Sequence, residues 1–533
     1  MVAPDTVYRR GRFFTAGGVP WAETLAVAGD RIAAVGTDDQ VAAAAAANTE
    51  IVDLGGAFVV PGITDAHFHT LMAGEALRRA DLVHAKDLEE ILRLVRAWAE
   101  ANPASPWVLG RSWLHSSVPA GAPTRQMLDE AIADRPVFLD ANDLHSAWVN
   151  TLGLERLGIT ADTPDPAGGE IVRDQDGVPT GELKEMAAVG AWEHFASITT
   201  DAQRDDQLRA ALAAVAAAGV TSVVDMALNP PALEAMARAE RAGTLTARIR
   251  AHVMLFPDRD ATPQIEEAAA LARRHASPWL SVVGVKIISD GVIDACTAAM
   301  LWPFANGAHP PAIWEPDILR PAVLAADAAG LQVAIHAIGD RAVRNALDAF
   351  EEAARANGPT GLRHRIEHIE LPDPADIPRF GELGVTASMQ PVHADPAIRP
   401  NWTAMLGDER STRGFPWTAV GASTRLVLGT DAPTAPLEAL PNLFIAVTRR
   451  SALDRSLPAP PGEPTLELEA ALRGVTIDAA WSCRDEGERG SLEAGKLADF
   501  VVVDTDPFVA GPEALLDARV LRTVVGGRNV FES

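Results

Sequence analysis

Short apolar runs alternate with amphipathic stretches along most of the chain. A short apolar run bounded by turns indicates a buried strand, and apolar positions every three to four residues indicate a helix with one buried face. Strands that alternate with helices are typical of parallel sheets. Eight such runs predict an α/β fold organised as a (β/α)8 barrel. The predicted barrel strands are Phe58 to Thr64, Val220 to Met226, Arg248 to Phe256, Val282 to Ile288, Gln332 to His336, His364 to His368, Val385 to Met389 and Leu426 to Thr430.

The two ends of the chain have a different pattern. Residues 1–56 and 485–533 contain short apolar strands broken by turns, and we expect them to form one composite β-sandwich domain. Residues 57–484 would then form the barrel. The interval of about 75–205 is longer than one crossover needs and is rich in Trp, Pro and Gly. It predicts an inserted subdomain that follows the first barrel strand and covers the mouth.

Two histidines end the first predicted barrel strand. His67 and His69 flank Phe68, and alternate side chains of a strand share one face. Both imidazoles can therefore bind the same metal ion, which favours a metal-dependent hydrolase. The structural alternative is a pair of core histidines around a buried Phe. Partners elsewhere in the chain must decide between the two.

Four more residues with suitable chemistry lie at the ends of other predicted strands. Barrel enzymes carry their catalytic groups at the carboxyl ends of the strands. Lys286, His336, His368 and Asp431 occupy such positions on the fourth, fifth, sixth and eighth strands. Singly, each has a structural alternative, such as a hydrogen-bonded core histidine or a helix-capping aspartate. Six residues at one end of the predicted barrel argue against coincidence.

Lys286 is unusual in its setting. Lysine accounts for four of the 46 basic residues, so arginine serves wherever any cation suffices. A lysine inside an apolar strand suggests a need for an amine that can lose its proton.

Composition limits the partners. The net charge of -26 argues against nucleic acid or an anionic membrane surface. Apolar stretches fall short of the roughly 20 residues of a membrane span. Cys296 and Cys483 are too few for a disulfide framework, and the first residues lack the regions of a signal peptide. We expect a cytoplasmic protein with a small-molecule substrate; the sequence is compatible with a homodimer.

Several motifs together resemble the amidohydrolase superfamily, and within it the YtcJ-like branch (amidohydrolase family 3), which includes N-substituted formamide deformylase. The resemblance covers nearly the whole chain, with the motifs in the family's order. They are PGITDAHFHT from Pro61, NDLHSAWVN from Asn142, GGEIVRDQDGVPTGELKE from Gly168, GVKIISDG from Gly284, HAIGDRAV from His336, RIEHIEL from Arg365, LGTDAP from Leu428 and SLEAGKLADFVVVD from Ser491.

The resemblance implies a TIM-type barrel with a composite β-sandwich and one or two divalent metal ions. His67 and His69 would bind one ion, and His336 and His368 would be associated with a second position. Lys286 corresponds to a lysine that is carboxylated in many members and bridges two metals. Carboxylation makes chemical sense because CO2 converts a neutral amine into a carboxylate-like ligand. Imidazole and carboxylate ligands suit Zn²⁺.

These residues predict an amidohydrolase that cleaves a carbon-nitrogen bond of a small amide, N-acyl or N-formyl compound. Zinc lowers the pKa of bound water to about 7, and the resulting hydroxide would attack the carbonyl. Asp431 would accept the water proton and pass it to the leaving nitrogen, or act as a ligand as well. With one metal, His336 or His368 could stabilise the oxyanion.

Substrate contacts are expected from Trp113, Asp143, His145 and Cys296. For the first three, by resemblance, the alternative is packing and capping of the insert. Cys296 lies in a stretch that departs from the Asp-Gly-Ser-Leu-Gly-Ser type of the branch, so the substrates of relatives need not transfer. It is a reactive thiol or, without a basic neighbour, a neutral one.

Two alternative functions stay open from the sequence. An esterase, carbamate hydrolase or lactone hydrolase could use the same centre, because hydroxide attacks all of these carbonyls. A catalytically silent binding protein could retain the fold.

Overall fold

The computed structural model describes residues 3–42, 45–83, 85–119, 122–141, 146–166, 169–399, 402–460 and 464–533. The chain divides into two compact units. The main unit consists of Met1–Thr70 and Leu212–Ser533, and the inserted unit is Leu71–Ala211.

The strands follow in chain order. Before the inserted unit they are β1 (Thr6–Arg9), β2 (Arg12–Phe14), β3 (Trp21–Ala22), β4 (Thr24–Ala28), β5 (Arg31–Gly36), β6 (Glu50–Asp53), β7 (Phe58–Pro61) and β8 (Ile63–Phe68). Within it they are β9 (Ala80–Asp81), β10 (Val108–Trp113), β11 (Val137–Ala141), β12 (Ser146–Val149), β13 (Gly169–Arg173) and β14 (Pro179–Glu185). After it they are β15 (Val220–Leu228), β16 (Arg248–Met254), β17 (Leu280–Ile288), β18 (Gln332–Ala337), β19 (Arg365–His368), β20 (Thr386–Met389), β21 (Leu426–Leu428), β22 (Phe500–Val503), β23 (Val520–Val525) and β24 (Arg528–Glu532).

The helices alternate with many of these strands. They are α1 (Asp38–Ala42), α2 (Thr70–Ala76), α3 (Leu88–Ala101), α4 (Arg125–Asp129), α5 (Thr151–Leu157), α6 (Met186–Ile198), α7 (Asp201–Ala217), α8 (Pro230–Arg241), α9 (Ala261–Arg274), α10 (Pro316–Ala328), α11 (Asp340–Asn357), α12 (Ile377–Leu383), α13 (Trp402–Leu406), α14 (Asp408–Ser411), α15 (Trp417–Ser423), α16 (Ala439–Thr448), α17 (Leu468–Gly474), α18 (Ile477–Ser482), α19 (Pro507–Ala510) and α20 (Ala514–Asp517). Among the described residues, 3-10 helices span His115–Ser117 and Pro391–Ala394. In the part of the chain that the structure describes, no helix has both the length and the apolar character needed to cross a membrane.

Eight strands of the main unit form one parallel sheet. Its order is β21-β20-β19-β18-β17-β16-β15-β8. The two outer strands also approach each other, because Asp431 N–H donates to His67 O at 2.8 Å and His69 N–H donates to Ala432 O at 3.1 Å. The structure confirms the predicted α/β class with an eight-stranded, TIM-barrel-like parallel sheet.

The first predicted strand, Phe58 to Thr64, is wrong in its bounds because it spans two strands of different sheets. β7 pairs antiparallel with β22, whereas β8 pairs parallel with β15. The change of sheet occurs at Gly62, whose N–H donates to Asp499 O at 2.8 Å. A Cβ at this position would lie 2.2 Å from Thr221 Oγ1, so the close approach requires glycine.

The terminal segments supply two further sheets. One has the order β5-β4-β1-β6, and the other has the order β24-β23-β22-β7-β2-β3, which combines strands from both ends of the chain. Side chains from both sheets share one apolar cluster, which includes Tyr8, Phe13, Leu25, Val27, Ile32, Val59, Phe500, Val502 and Val524.

A buried ion pair joins the parallel sheet to the C-terminal segment. Arg248, at the start of β16, donates from Nε and Nη2 to Asp499 at 2.7 and 3.0 Å. Both side chains are almost fully buried. Because removal of one partner would leave the other charge buried and unpaired, this pair fixes the two segments to each other.

The inserted unit has its own sheet and core. Its six strands have the order β13-β14-β12-β11-β10-β9. Trp113 and Trp148 are fully buried and pack edge to face with ring centroids 5.6 Å apart. Apolar residues of α3 and α4 complete this core.

Asn150 organises the start of α5 in the inserted unit. Its Oδ1 accepts from the N–H groups of Gly153 and Val137 at 2.8 and 2.9 Å, and its Nδ2 donates to the carbonyls of Ile132 and Arg135. We expect Asn150→Ala to lower the free energy of unfolding by about 2–3 kcal/mol, since a helix cap and several buried hydrogen bonds are lost together. Chemical denaturation followed by circular dichroism measures the loss.

Asn229→Ala is the matched control. Asn229 caps α8 through a single hydrogen bond, to Ala232 N–H at 2.9 Å, and it is exposed. Its loss should be about 1 kcal/mol. Equal losses in the two variants would show that Asn150 acts as an ordinary cap and not as a buried crosslink.

Candidate metal centre

His67 and His69 lie at the carboxyl end of β8, and the Nδ1 atom of each ring makes a hydrogen bond. His67 Nδ1 donates to Glu367 Oε2 at 2.8 Å, and His69 Nδ1 donates to the carbonyl of Met226 at 2.7 Å. Such contacts fix the orientation of a metal-binding imidazole. The Nε2 atoms lie 3.3 and 3.1 Å from Asp431 Oδ1, so the motif and the predicted aspartate do meet.

Ligand atoms of His67, His368 and Asp431 lie within 4.8 Å of one another, and all three residues are buried. The ring centroid of His368 is 4.8 Å from that of His67 and 4.4 Å from that of His336. His368 Nδ1 has no hydrogen-bond partner among the described residues. The three side chains offer two imidazole nitrogens and a carboxylate oxygen, the donor types that zinc favours.

Two residues of this group have unusual backbones. φ is +75° at His368 and +61° at Asp431, a region that residues other than glycine seldom adopt. The positive φ of His368 interrupts the alternation of side chains along β19. As a result, Glu367 and its neighbour His368 both lie next to His67. Strained backbones of this kind cluster at functional sites.

Glu367 is a functional residue that the sequence argument missed. It is fully buried, and the buried Arg365 guanidinium donates to it from Nε and Nη2 at 2.5 and 3.1 Å. Burial would raise the pKa of Glu367, but Arg365 and His67 outweigh burial and hold that pKa well below its usual range. The available signal was a pair of opposite charges at i and i+2, Arg365 and Glu367, in a strand whose four residues are all buried.

Glu367→Gln should weaken metal binding about 10- to 100-fold, since the carboxylate that orients His67 is lost. Competition with a chromogenic chelator measures the affinity without any substrate. Glu182→Gln in the inserted unit provides the control, because Glu182 is also buried. Equal affinities in the two variants would contradict the role assigned to Glu367.

Lys286 is buried at the same end of the sheet, on β17. In the described part of the chain its Nζ has no hydrogen-bond partner. Burial lowers the pKa of Lys286 to about 8, against the opposing effects of Glu367 and Asp431. This lysine therefore loses its proton far more readily than an exposed one, as its expected carboxylation requires.

Three histidines of the site, His67, His336 and His368, are neutral, as metal ligands must be. At His69, burial would lower the pKa, but Asp431 outweighs burial and raises it. Burial, and next Lys286, lowers the pKa of His67 to about 4 and that of His336 to about 3. Burial, and next His336, holds the pKa of His368 well below its usual range. Neutral imidazoles next to an ionised carboxylate fit a divalent cation. His336 also faces the loop after β17, with Nε2 at 3.3 Å from Gly291 O.

His393 is the second residue that the sequence argument missed. It lies in the 3-10 helix Pro391–Ala394, where its Nε2 is 3.5 Å from Asp431 Oδ2 and its ring stacks on His368 at 5.8 Å. Burial would lower the pKa of His393, but Glu370 and Asp431 outweigh it and the pKa lies above its usual value. The signal was a histidine four residues beyond the end of β20, farther from a strand end than the other candidate ligands.

The four predicted substrate residues differ in where they lie. Trp113 is fully buried in the core of the inserted unit and donates to Leu139 O, which agrees with the packing alternative. Cys296 is half-buried and contacts Met405, and burial raises the pKa of its thiol, which agrees with a neutral cysteine. Asp143 and His145 lie outside the described residues.

Comparisons with known proteins identify the family of the chain. A family model described as the amidohydrolase family matches residues 50–531. The chain is 30% identical to N-substituted formamide deformylase of Arthrobacter pascens, over 95% of this chain and 94% of that protein. It is 28% identical to the putative amidohydrolase YtcJ of Bacillus subtilis, over 91% of each. The crystal structure of an uncharacterized metal-dependent hydrolase from Pyrococcus furiosus superposes with a TM-score of 0.77 at 28% identity, covering 94% of this chain and 99% of that one.

Proposed function

The chain belongs to the amidohydrolase family, and on this basis we propose that it is a metal-dependent hydrolase of a carbon-nitrogen bond in a small amide. The observation that carries the proposal is the buried group of His67, His368 and Asp431, whose ligand atoms lie within 4.8 Å of one another. The formamide deformylase among its relatives supports an N-acyl or N-formyl substrate.

The proposal includes the complete architecture that the sequence predicts. This is a TIM-type barrel within residues 57–484, a composite β-sandwich from 1–56 and 485–533, and an inserted subdomain at about 75–205. Support comes from the sheet in which β2, β3 and β7 combine with β22 to β24, and from the compactness of the inserted unit.

The resemblance places His368 with His336 at a second metal position, but the ligand atoms of His368, His67 and Asp431 lie within 4.8 Å of one another. We therefore propose that His368, with His67, His69 and Asp431, would hold one divalent ion, and that Lys286 with His336 would serve a second. The nitrogen-rich donor set favours Zn²⁺. Such an ion, when bound, lowers the pKa of a water molecule and polarises a carbonyl group. Carboxylation of Lys286 would supply an oxygen ligand for the second ion.

The carboxylate of Asp431 moves the proton in this scheme. Burial would raise its pKa, but His67 and His69 outweigh burial and hold that pKa well below its usual range, so the carboxylate is ionised and carries no proton before the reaction. Asp431 takes one proton from the attacking water and delivers it to the amide nitrogen, because an amine leaves poorly without protonation. His393, at 3.5 Å from Oδ2, helps to position the carboxylate.

Elemental analysis of the purified protein, with Lys286→Ala beside the wild type, is the first test. We expect about two zinc ions per chain in the wild type and a lower content in the variant. Lys184→Ala is the control, because Lys184 is an exposed lysine in the inserted unit. About one ion per chain in the wild type, unchanged in Lys286→Ala, would restrict Lys286 to a supporting role.

A substrate screen with the metal-loaded protein tests the activity itself. Aryl and alkyl formamides and acylated amino acids should be hydrolysed. Turnover of esters, carbamates or lactones alone would favour the alternative hydrolase. Failure to bind metal after reconstitution, together with no turnover of any compound, would favour a catalytically silent binding protein.

A further inference from the structure

We propose that Gln390 binds the substrate through its carboxamide and selects amides that carry an N–H group. This inference rests on the proposed function and specifies its substrate class. Gln390 directly follows β20, and its side chain is buried, with 1% exposed. Neither its Oε1 nor its Nε2 has a hydrogen-bond partner among the residues that the structure describes. A buried carboxamide without partners destabilises the protein, so its presence points to a ligand that completes it.

The backbone places Gln390 on the inner face of the parallel sheet. With φ at -119° and ψ at 98°, the residue continues the extended conformation of β20 and therefore shares a face with Ser388. Ser388 Oγ accepts from Arg365 at 2.8 Å, and Arg365 also donates to Glu367. Gln390 thus lies on the face that carries the orienting groups of the metal centre, two residues nearer to the carboxyl end and three residues before His393.

Lys286 Nζ and His368 Nδ1 are among the other buried polar atoms of this region that have no partner in the described ranges. Both have chemistry that serves a metal ion. The carboxamide of Gln390 differs, because it is neutral and combines an acceptor with two donors. These properties match a neutral amide better than a cation.

Hydrogen bonds between the Gln390 carboxamide and the substrate would distinguish amides from esters. Oε1 would accept the N–H of an N-monosubstituted amide, and Nε2 would donate to a second oxygen of the substrate. An ester or an N,N-disubstituted amide has no N–H, so it would leave Oε1 buried and unpaired. A site built to hydrogen-bond a substrate group discriminates strongly against the analogue that lacks it. Gln390 therefore favours amides that carry an N–H group, N-monosubstituted formamides included.

Gln390→Met tests the proposal with a side chain of similar shape and no hydrogen-bonding group. The substrates are a formamide and a formate ester that share the same aryl or alkyl substituent. We expect kcat/KM for the amide to fall about 10- to 100-fold and that for the ester to change less than about threefold. Tm should not fall, because no hydrogen bond within the protein is lost.

Gln332→Met is the matched control. Gln332 is equally buried, but its Nε2 donates to three carbonyls, those of Leu362, Arg363 and Ser482. This variant should lower Tm and leave the ratio of amide to ester turnover unchanged.

The outcomes separate this proposal from the broader one. Wild-type turnover of the amide, with an unchanged amide-to-ester ratio in Gln390→Met, would overturn the role of Gln390 alone. A fall in Tm as large as that of Gln332→Met, with the same ratio, would assign Gln390 to packing. Wild-type protein that hydrolyses neither compound would overturn the proposed function and, with it, the role of Gln390.

Discussion

Asp431→Asn should lower kcat for amide hydrolysis about 10³- to 10⁴-fold while the protein stays folded. An amide side chain cannot accept a proton from water, and proton transfer at this level is the upper range for a positioned general base and acid. The substitution keeps the shape of the side chain, so Tm should change little. Steady-state kinetics together with metal analysis of the same preparation measures both effects.

Asp290→Asn is the control for the first prediction. Asp290 is equally buried near the carboxyl ends of the strands, but it accepts from the N–H groups of Ala299, Ile338 and Gly339 at 2.9–3.1 Å. The side-chain NH2 group of the new Asn would face these N–H donors. The main effect of this variant should therefore be a loss of stability and not a loss of kcat. A kcat for Asp431→Asn within tenfold of the wild type would rule out Asp431 as the group that moves the proton.

Arg365→Met should lower the free energy of unfolding by about 3–5 kcal/mol. The substitution leaves the Glu367 carboxylate charged, buried and without its cation. It also removes the hydrogen bonds from Arg365 to Ala66 O and Ser388 Oγ at 2.7 and 2.8 Å. Metal content should fall as well, because Glu367 then no longer holds His67 in place. Denaturant unfolding and elemental analysis measure the two effects.

Two further variants isolate the cause of that loss. Arg363→Met removes a less buried guanidinium that pairs with Glu486, and it should cost about 1 kcal/mol. The double variant Arg365→Met with Glu367→Gln should recover part of the stability, because no unpaired charge stays buried. A double variant that is less stable than Arg365→Met by the full cost of Glu367→Gln would show that the two residues act independently.

Local pattern was sufficient to predict much of the fold and part of the site. The eight strands of the parallel sheet were identifiable because a short apolar run is a local feature, visible in a few consecutive residues. His67, His336, His368 and Asp431 were identifiable because strand ends converge in such a sheet. Gly62 was harder, since the same apolar run continues through the point where the chain changes sheets.

Contacts across the sheet could not be predicted in the same way. Glu367 and His67 are 300 residues apart, and nothing local to either indicates that they meet. His393 lies on a short 3-10 helix beyond its strand, where no periodicity marks the direction of the side chain. The hydrogen bonds missing at Gln390 become visible only when every neighbour has been placed.

The position of β7 has a consequence for how the chain folds during synthesis. β7 leaves the ribosome early, but its partner β22 is made only after nearly the whole chain. Until β22 is made, the edge of β7 that pairs with it has no partner strand. β7 is apolar and continues almost directly into β8. Such late, long-range pairing slows folding and exposes surfaces prone to aggregation. We therefore expect nascent chains that stop short of β22 to aggregate more readily than chains that include it.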